Sequence, residues 1–130
     1  AFARRLGLNT IRLEGMFPDD ILFDLADQLG MFVIPGISCC DAWQNWKHWT
    51  LDTMEIASQS VQSQAARIRQ HPSALCFWYS SDQLPPQNIE QTYMNALKKQ
   101  LWPNPTLASA SNYTSKLSGP TGVKMSGPYA

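Results

Sequence analysis

Between Asn9 and Glu14 apolar and polar residues alternate: Ile11 and Leu13 fall on one phase, Thr10, Arg12 and Glu14 on the other, and a turn follows at Gly15 to Pro18. A period of two is what a half-buried strand requires, so this stretch is predicted to be one. The period then lengthens. From Asp19 to Leu29, Ile21, Leu22, Leu25 and Leu29 recur at helical spacing, and Gly30 supplies the stop. Met31 to Ile37 reads as a second, buried strand. After a Trp-rich loop, Asp52-Thr53-Met54-Glu55 has the spacing of a capping box, and Met54, Ala57, Val61, Ala65 and Ile68 continue one apolar face to about Gln70. Past Pro72, Ala74 to Tyr79 is predicted to be a third strand. Pro85-Pro86 opens a further helix with Ile89, Tyr93, Leu97 and Leu101 on one face. Thr106 to Ala110 is a short fourth strand, a Ser/Gly/Pro loop follows, and Val123 to Pro128 is a fifth.

Repeated alternation of strand and helix calls for parallel strands covered by helices, either an open doubly wound sheet or a closed barrel. Polar or aromatic residues at the C-terminal ends of the strands, namely Glu14, Asp41, Asp82, Asn112 and Tyr129, favour the barrel, where such positions surround an active site. A doubly wound nucleotide fold would carry a glycine-rich phosphate turn after its first strand, and the sequence has none. Residue 1 is Ala, Ala1 to Gly7 reads as the last turn of a helix, and the final residues read as a strand with nothing to cover it. The expected fold class is therefore α/β, a partial (β/α)8 TIM barrel with about five of eight strands, truncated at both ends. Residues 1–130 are expected to be an incomplete barrel domain that folds poorly and hydrolyses nothing when isolated.

Composition narrows the partners. The chain is 44% hydrophobic and carries 10 basic and 10 acidic residues, for a formal net charge of zero. With no run of Lys or Arg, neither nucleic acid nor a membrane surface is an expected partner. The longest apolar stretch falls far short of the roughly 20 residues that span a bilayer. Cys39, Cys40 and Cys76 have neither disulfide-framework nor metal-site spacing and are expected to be ordinary thiols at buried positions. No metal or cofactor is expected.

Several residues could carry chemistry. If Ile11 and Leu13 face the helices, Arg12 and Glu14 face inward, where charges are costly unless paired or used; a structural ion pair and a ligand contact are both open. Asp82 follows Phe77-Trp78-Tyr79-Ser80-Ser81 where a strand gives way to loop. A carboxylate there can protonate a leaving oxygen, or merely cap a turn. His71 precedes the same strand, too far from Asp82 to form a triad with Ser80 or Ser81, and is expected to be structural. His48 has no evident partner. Trp43, Trp46 and Trp49 offer flat faces for sugar rings, or packing for a short helix. Asn112-Tyr113-Thr114 is a glycosylation sequon.

Taken in order, Gly7-Leu8-Asn9-Thr10-Ile11-Arg12-Leu13-Glu14-Gly15, Asp24-Leu25-Ala26-Asp27, Cys39-Cys40-Asp41-Ala42-Trp43, Arg69-Gln70-His71-Pro72-Ser73, Trp102-Pro103-Asn104-Pro105 and Gly119 to Met125 running into Gly127-Pro128-Tyr129 form a pattern. It resembles the catalytic barrel of family 2 glycoside hydrolases, and within them the exo-β-D-glucosaminidases. Most of that family carries Asn-Glu where this chain has Ser81-Asp82, as the exo-glucosaminidases do. Asp reaches one methylene less than Glu, roughly 1.5 Å, so the substrate or the strand must sit closer. The resemblance implies a retaining hydrolysis of chitosan-type oligosaccharides, with Asp82 as general acid/base and a nucleophilic Glu beyond Ala130. It makes Glu14 a partner for the sugar ammonium and places Tyr129 beside the nucleophile. Asp41, Ser81, Arg12 and Trp43 are further candidate substrate contacts. It also implies export from the cell, and as partners the remaining barrel and accessory β domains of a longer chain. Another family 2 specificity, such as β-mannosidase, and a non-catalytic sugar-binding remnant are the alternatives.

Overall fold

A computed structural model describes residues 2–37, 39 and 42–122. Cys40, Asp41, Tyr129 and the strand expected at Val123 to Pro128 lie outside the described residues.

The elements run α1 (Phe2–Arg5), β1 (Thr10–Arg12), α2 (Asp20–Leu29), β2 (Phe32–Ile34), two 3-10 turns (Ala42–Gln44 and Trp46–His48), α3 (Leu51–Ile68), β3 (Phe77–Trp78), α4 (Gln87–Lys99), β4 (Thr106–Leu107), β5 (Thr114–Ser115) and β6 (Gly119–Pro120). β1 pairs with β2 and β3 with β4, both in parallel, while β5 and β6 form an antiparallel hairpin. Single parallel bridges, Val33 to Ala74 and Gly36 to Trp78, connect the first two pairs.

This arrangement corrects the expected partial (β/α)8 barrel. Among the described residues there are four helices and strands of two or three residues in two-stranded sheets, and no barrel is closed. Closure requires the first strand to find a partner on its open side. Among the described residues β1 bonds only to β2. The antiparallel hairpin, where only a loop was expected, is also foreign to an all-parallel barrel. Serines and short spacings there gave no strand periodicity from which to read it.

The helices follow the sequence in outline and depart from it in detail. Gly30 ends α2 in the left-handed region at φ 62°, donating to the carbonyls of Ala26 and Asp27. The face of α2 that is buried, however, is that of Phe23 and Ala26, whereas Ile21 is 69% exposed and Leu25 is exposed too. Phe23 stacks on His71 at 5.2 Å, so an aromatic partner sets the rotation of the helix. α3 is capped by Thr50, whose hydroxyl accepts from the Thr53 amide at 3.2 Å, while the Thr53 hydroxyl accepts from the Thr50 amide at 3.4 Å. The box therefore starts two residues before the expected Asp52-to-Glu55 spacing. α4 stops at Lys99, so Leu101 lies beyond it at φ 52°, 78% exposed, rather than on its apolar face.

The core lies where α2, α3 and α4 cover β2 and β3. Ala57, Val61, Ala65 and Ile68 of α3 meet Ile89, Tyr93, Ala96 and Leu97 of α4 over Val33, Phe77 and Tyr79. Each large apolar side chain so buried contributes about 1.5–3 kcal/mol. The alanines let α3 approach closely. Phe17 and Trp102 close the edge, with ring centroids each 5.5 Å from Phe77.

Candidate active site

The parallel register carries the ends of β1, β2 and β3 to one edge of the fold. Gly36 is needed there: a Cβ on it would lie 3.2 Å from the Leu13 carbonyl oxygen and 3.7 Å from that of Trp78, so the absence of a side chain lets the segments after β1 and β3 converge. They bring Arg12 and Glu14 against Ser81 and Asp82.

Arg12 Nη2 donates to Ser81 Oγ at 2.8 Å and to Glu14 Oε1 at 3.3 Å. Ser81 Oγ lies within hydrogen-bonding distance of Glu14 Oε1 and, at 3.3 Å, of Asp82 Oδ1. A hydroxyl has one proton to give, and Glu14 is the nearer acceptor. The Arg12 guanidinium also rests 4.5 Å over the ring of Trp78, which is buried, so a cation–π contact and two hydrogen bonds fix it together. The ion pair and a role for Glu14 toward a ligand are compatible, because the Glu14 side chain keeps 37% of its surface accessible.

The Ser81 hydrogen bond is the main influence holding the Glu14 carboxyl below its usual 4.5. Burial opposes it, and the Cys39 thiol and Arg12 reinforce it. Glu14 is thus an anion with its charge held in place. With Asp82 it gives two carboxyl groups to one guanidinium, a setting for a cationic ligand group.

Cys39 was expected to be a buried, ordinary thiol, yet it is half-buried and contacts Glu14. No spacing in the sequence signals that contact, which arises from the way the loop after β2 passes β1. Cys76 does fit the expectation: it is buried, and burial pushes its thiol up to about 11. Trp78 beneath Arg12 was also not among the expected site residues, although the phase of its strand could have pointed to it. Trp43 lies in the 3-10 turn that follows β2. It packs against the apolar core and edge-on to Trp49 at 5.6 Å, and Trp49 meets Tyr93 in turn.

On its other side the strand end is tied down by Gln44, whose amide donates to Ser80 Oγ at 2.8 Å, while Ser80 donates to the Gln83 carbonyl at 2.6 Å. The loop carrying Asp82 is therefore anchored before and after the carboxylate.

His71 sits before β3, away from Ser81 and Asp82. Its Nδ1–H donates to Asp27 at 2.8 Å, and the same carboxylate accepts from the Ser73 amide at 2.8 Å. Burial would raise the Asp27 pKa, but the hydrogen bonds from Ser73 and His71 outweigh it and hold the group below its usual 3.8. Asp24, Asp27 and His71 bring potential metal-ligand atoms within 4.8 Å of one another. The hydrogen bonds of Asp27 already give this group a structural task, tying α2 to the entry of β3.

No protein-family model matches the chain. Curated relatives do: an exo-β-D-glucosaminidase of Streptomyces avermitilis is 44% identical over 98% of this chain, and one of Amycolatopsis orientalis is 40% identical over 98%. A third, from Hypocrea jecorina, is 39% identical over 93%. The chain spans only 13 to 15% of the length of these relatives. The crystal structure of the Amycolatopsis orientalis exo-chitosanase CsxA superposes with a TM-score of 0.93 at 40% identity, covering 98% of this chain and 16% of that one. Alanine variants of CsxA, one replacing an aspartate and one a glutamate, have been crystallised with PNP-β-D-glucosamine. A β-D-mannosidase from Dictyoglomus thermophilum, at 20% identity and a TM-score of 0.65, shares the fold alone. Over nearly its whole length, then, this chain is homologous to one region of the exo-β-D-glucosaminidases.

Proposed function

We propose, from that homology, that this chain is the acid/base-bearing region of an exo-β-D-glucosaminidase that releases glucosamine from the ends of chitosan-type oligosaccharides. The observation that carries the reading is the cluster of Arg12, Glu14, Ser81 and Asp82, in a chain aligned over 98% of its length with enzymes of that activity.

Asp82 donates a proton to the glycosidic oxygen as the bond to the anomeric carbon breaks, and a carboxylate on the opposite face of the sugar captures that carbon. Asp82 then takes a proton from the water that releases the sugar. Glu14 receives the 2-ammonium group in a charge-assisted hydrogen bond, while Ser81 and Arg12 hold its carboxylate in position. The nucleophile in this scheme is a Glu beyond Ala130. That CsxA variants lacking an aspartate or a glutamate were studied with a glucosaminide supports a two-carboxylate scheme. Asp41 and Tyr129 would line the same sugar. Trp43 would contact the sugar from the 3-10 turn that follows β2.

The test is Asp82→Ala in the full-length enzyme. Turnover of chitosan oligosaccharides is expected to fall by about 10²–10⁴-fold, and an aryl glucosaminide with a good leaving group is expected to lose less. An equal loss on both substrates would remove Asp82 from the acid role, and a native preference for mannosides over glucosaminides would overturn the amino-sugar specificity. Export is proposed with this function, since a polymer such as chitosan must be met outside the cell. Asn112 lies in an exposed bend, so a glycan on it in the mature, secreted protein would support that, and recovery of all activity from the cytosol would refute it.

A further inference from the structure

A carboxyl group that hands over a proton must stand at a set distance from the oxygen that receives it, and the short side chain of an aspartate has few rotamers with which to find that place. The position of Asp82 is therefore set mainly by the backbone from Ser80 to Gln83. Two ties hold that stretch. The Ser81 carbonyl accepts from the Ala110 amide at 2.8 Å, which fixes it to the segment after β4. Ser80, 3% exposed, donates its one hydroxyl proton to the Gln83 carbonyl at 2.6 Å and so closes a turn around Asp82.

A serine hydroxyl can rotate toward any acceptor in reach, so this second tie needs a direction. Gln44 supplies it. Its side-chain amide donates to Ser80 Oγ at 2.8 Å, which leaves the Ser80 proton for Gln83, and successive hydrogen bonds in such a chain strengthen one another. Gln44 ends the 3-10 turn that follows β2, and that turn is itself fixed to the core. The Trp49 indole N–H donates to the Ala42 carbonyl at 3.4 Å, and the Asn45 amide donates to the same carbonyl at 3.2 Å. Trp49 in turn stands edge-on to Tyr93, which is fully buried, with ring centroids 6.3 Å apart. A continuous line of contacts thus runs from Tyr93 through Trp49 and the turn to Gln44, Ser80 and the loop that carries Asp82.

We infer that Gln44 and Ser80 are positioning residues for the proton transfer: they hold the Asp82 loop where its short carboxyl reaches the glycosidic oxygen, and the Trp-rich turn is the frame on which they rest. The inference rests on the acid/base reading of Asp82 and adds to it the tether that lets an aspartate serve there. Neither residue takes part in the bonding changes. Without the tether the carboxyl is still present, but fewer conformations of the loop bring it within reach, so the loss falls on substrates whose leaving oxygen most needs a proton.

The experiment uses the full-length enzyme with phenyl and p-nitrophenyl β-D-glucosaminides, two substrates that differ chiefly in how much the departing oxygen depends on protonation. Ser80→Ala removes the hydroxyl without adding bulk, and Gln44→Met keeps the length of the side chain while removing its amide. In each, kcat/KM on the phenyl substrate is expected to fall about tenfold, against about twofold or less on the p-nitrophenyl one. Because the comparison is between two substrates of one preparation, partial loss of folded protein does not move it. The two residues act through one chain of hydrogen bonds, so the double variant is expected to be no worse than Ser80→Ala alone. Equal losses on the two substrates, or losses that multiply in the double variant, overturn the inference. Asp82→Ala on the same pair separates the two levels. If it too loses equally on both, the acid reading of Asp82 falls and this inference with it; if it loses far more on the phenyl substrate while the Gln44 and Ser80 variants do not, the tether alone falls.

Discussion

Ser81 is a small residue with a large electrostatic effect. Its hydroxyl is the main influence that lowers the Glu14 pKa, and it stands next to Asp82. Because the folded Glu14 pKa lies below 4.5, the anion that would bind an ammonium persists as acid is added until the pH falls through that lowered value. In Ser81→Ala the carboxyl loses its strongest hydrogen bond, so the pH at which KM for glucosaminides begins to rise should move upward toward the ordinary 4.5. A KM profile measured from neutral to about pH 3.5 would check it, and an unmoved acid limb would show that Glu14 does not bind the amine. The sequence placed Arg12 and Glu14 on one phase of a strand, and Asp82 at the end of another. That Ser81 bridges them was not legible, because the two stretches are far apart in the chain and meet only through the register of β1, β2 and β3.

At the scale of elements, the ends of the helices are where local chemistry and packing can be separated. Thr50 and Thr53 satisfy two amides at the start of α3, and Thr50→Ala is expected to cost about 1 kcal/mol, read as a lower Tm or denaturant midpoint. Asp52→Ala, at the position that the sequence pattern favoured as cap, should cost less. The end of α4 is closed by the Leu101 amide on the Lys98 carbonyl at 3.0 Å and the Trp102 amide on the Leu97 carbonyl at 3.1 Å. That motif prefers glycine at the residue with positive φ, yet the residue is Leu101, exposed and at φ 52°. Left-handed geometry costs a side-chain-bearing residue about 1–2 kcal/mol, and glycine returns part of that as unfolded-chain entropy. Leu101→Gly is therefore expected to stabilise the protein by roughly 0.5–1 kcal/mol, seen as a higher Tm. Helix existence was legible from apolar spacing. Helix rotation was not: α2 buries Phe23 and Ala26 because His71 and the core meet it there, and a stripe read from Ile21 and Leu25 cannot foresee a partner.

For the whole molecule, what matters is how separate βα segments are tied together. Asp27 links α2 to the segment before β3 through His71 and Ser73. Since its folded pKa is below 3.8, the stability it contributes is fully present above 3.8 and is lost as pH falls through the lowered value. Asp27→Ala is expected to cost about 1–3 kcal/mol at neutral pH, with the difference from the native protein shrinking toward zero in acid. Denaturant unfolding at pH 7 and pH 3 would test this, and an equal deficit at both would mean the loss is packing rather than charge. The expectation of a barrel failed at this same scale. Alternating strands and helices with functional residues at strand ends specify parallel pairing and a shared edge, and both are present. They do not specify closure, which depends on what each outer strand pairs with.

The sequence by itself determined the positions of the helices, the parallel sense of the main strands, the glycine stop of α2 and the short set of charged residues that form the cluster. These follow from local periodicity and backbone preference, which act over a few residues. Only the tertiary structure decided that Ser81 joins Glu14 to the Asp82 strand end, that Cys39 and Trp78 belong to that neighbourhood, and that Trp43 meets Trp49 edge-on. It also decided that Gln44, from the turn after β2, reaches Ser80 beside the Asp82 loop. Those outcomes depend on the register between segments distant in the chain and on the rotation of each helix about its axis, which are set by side-chain packing across elements rather than within them.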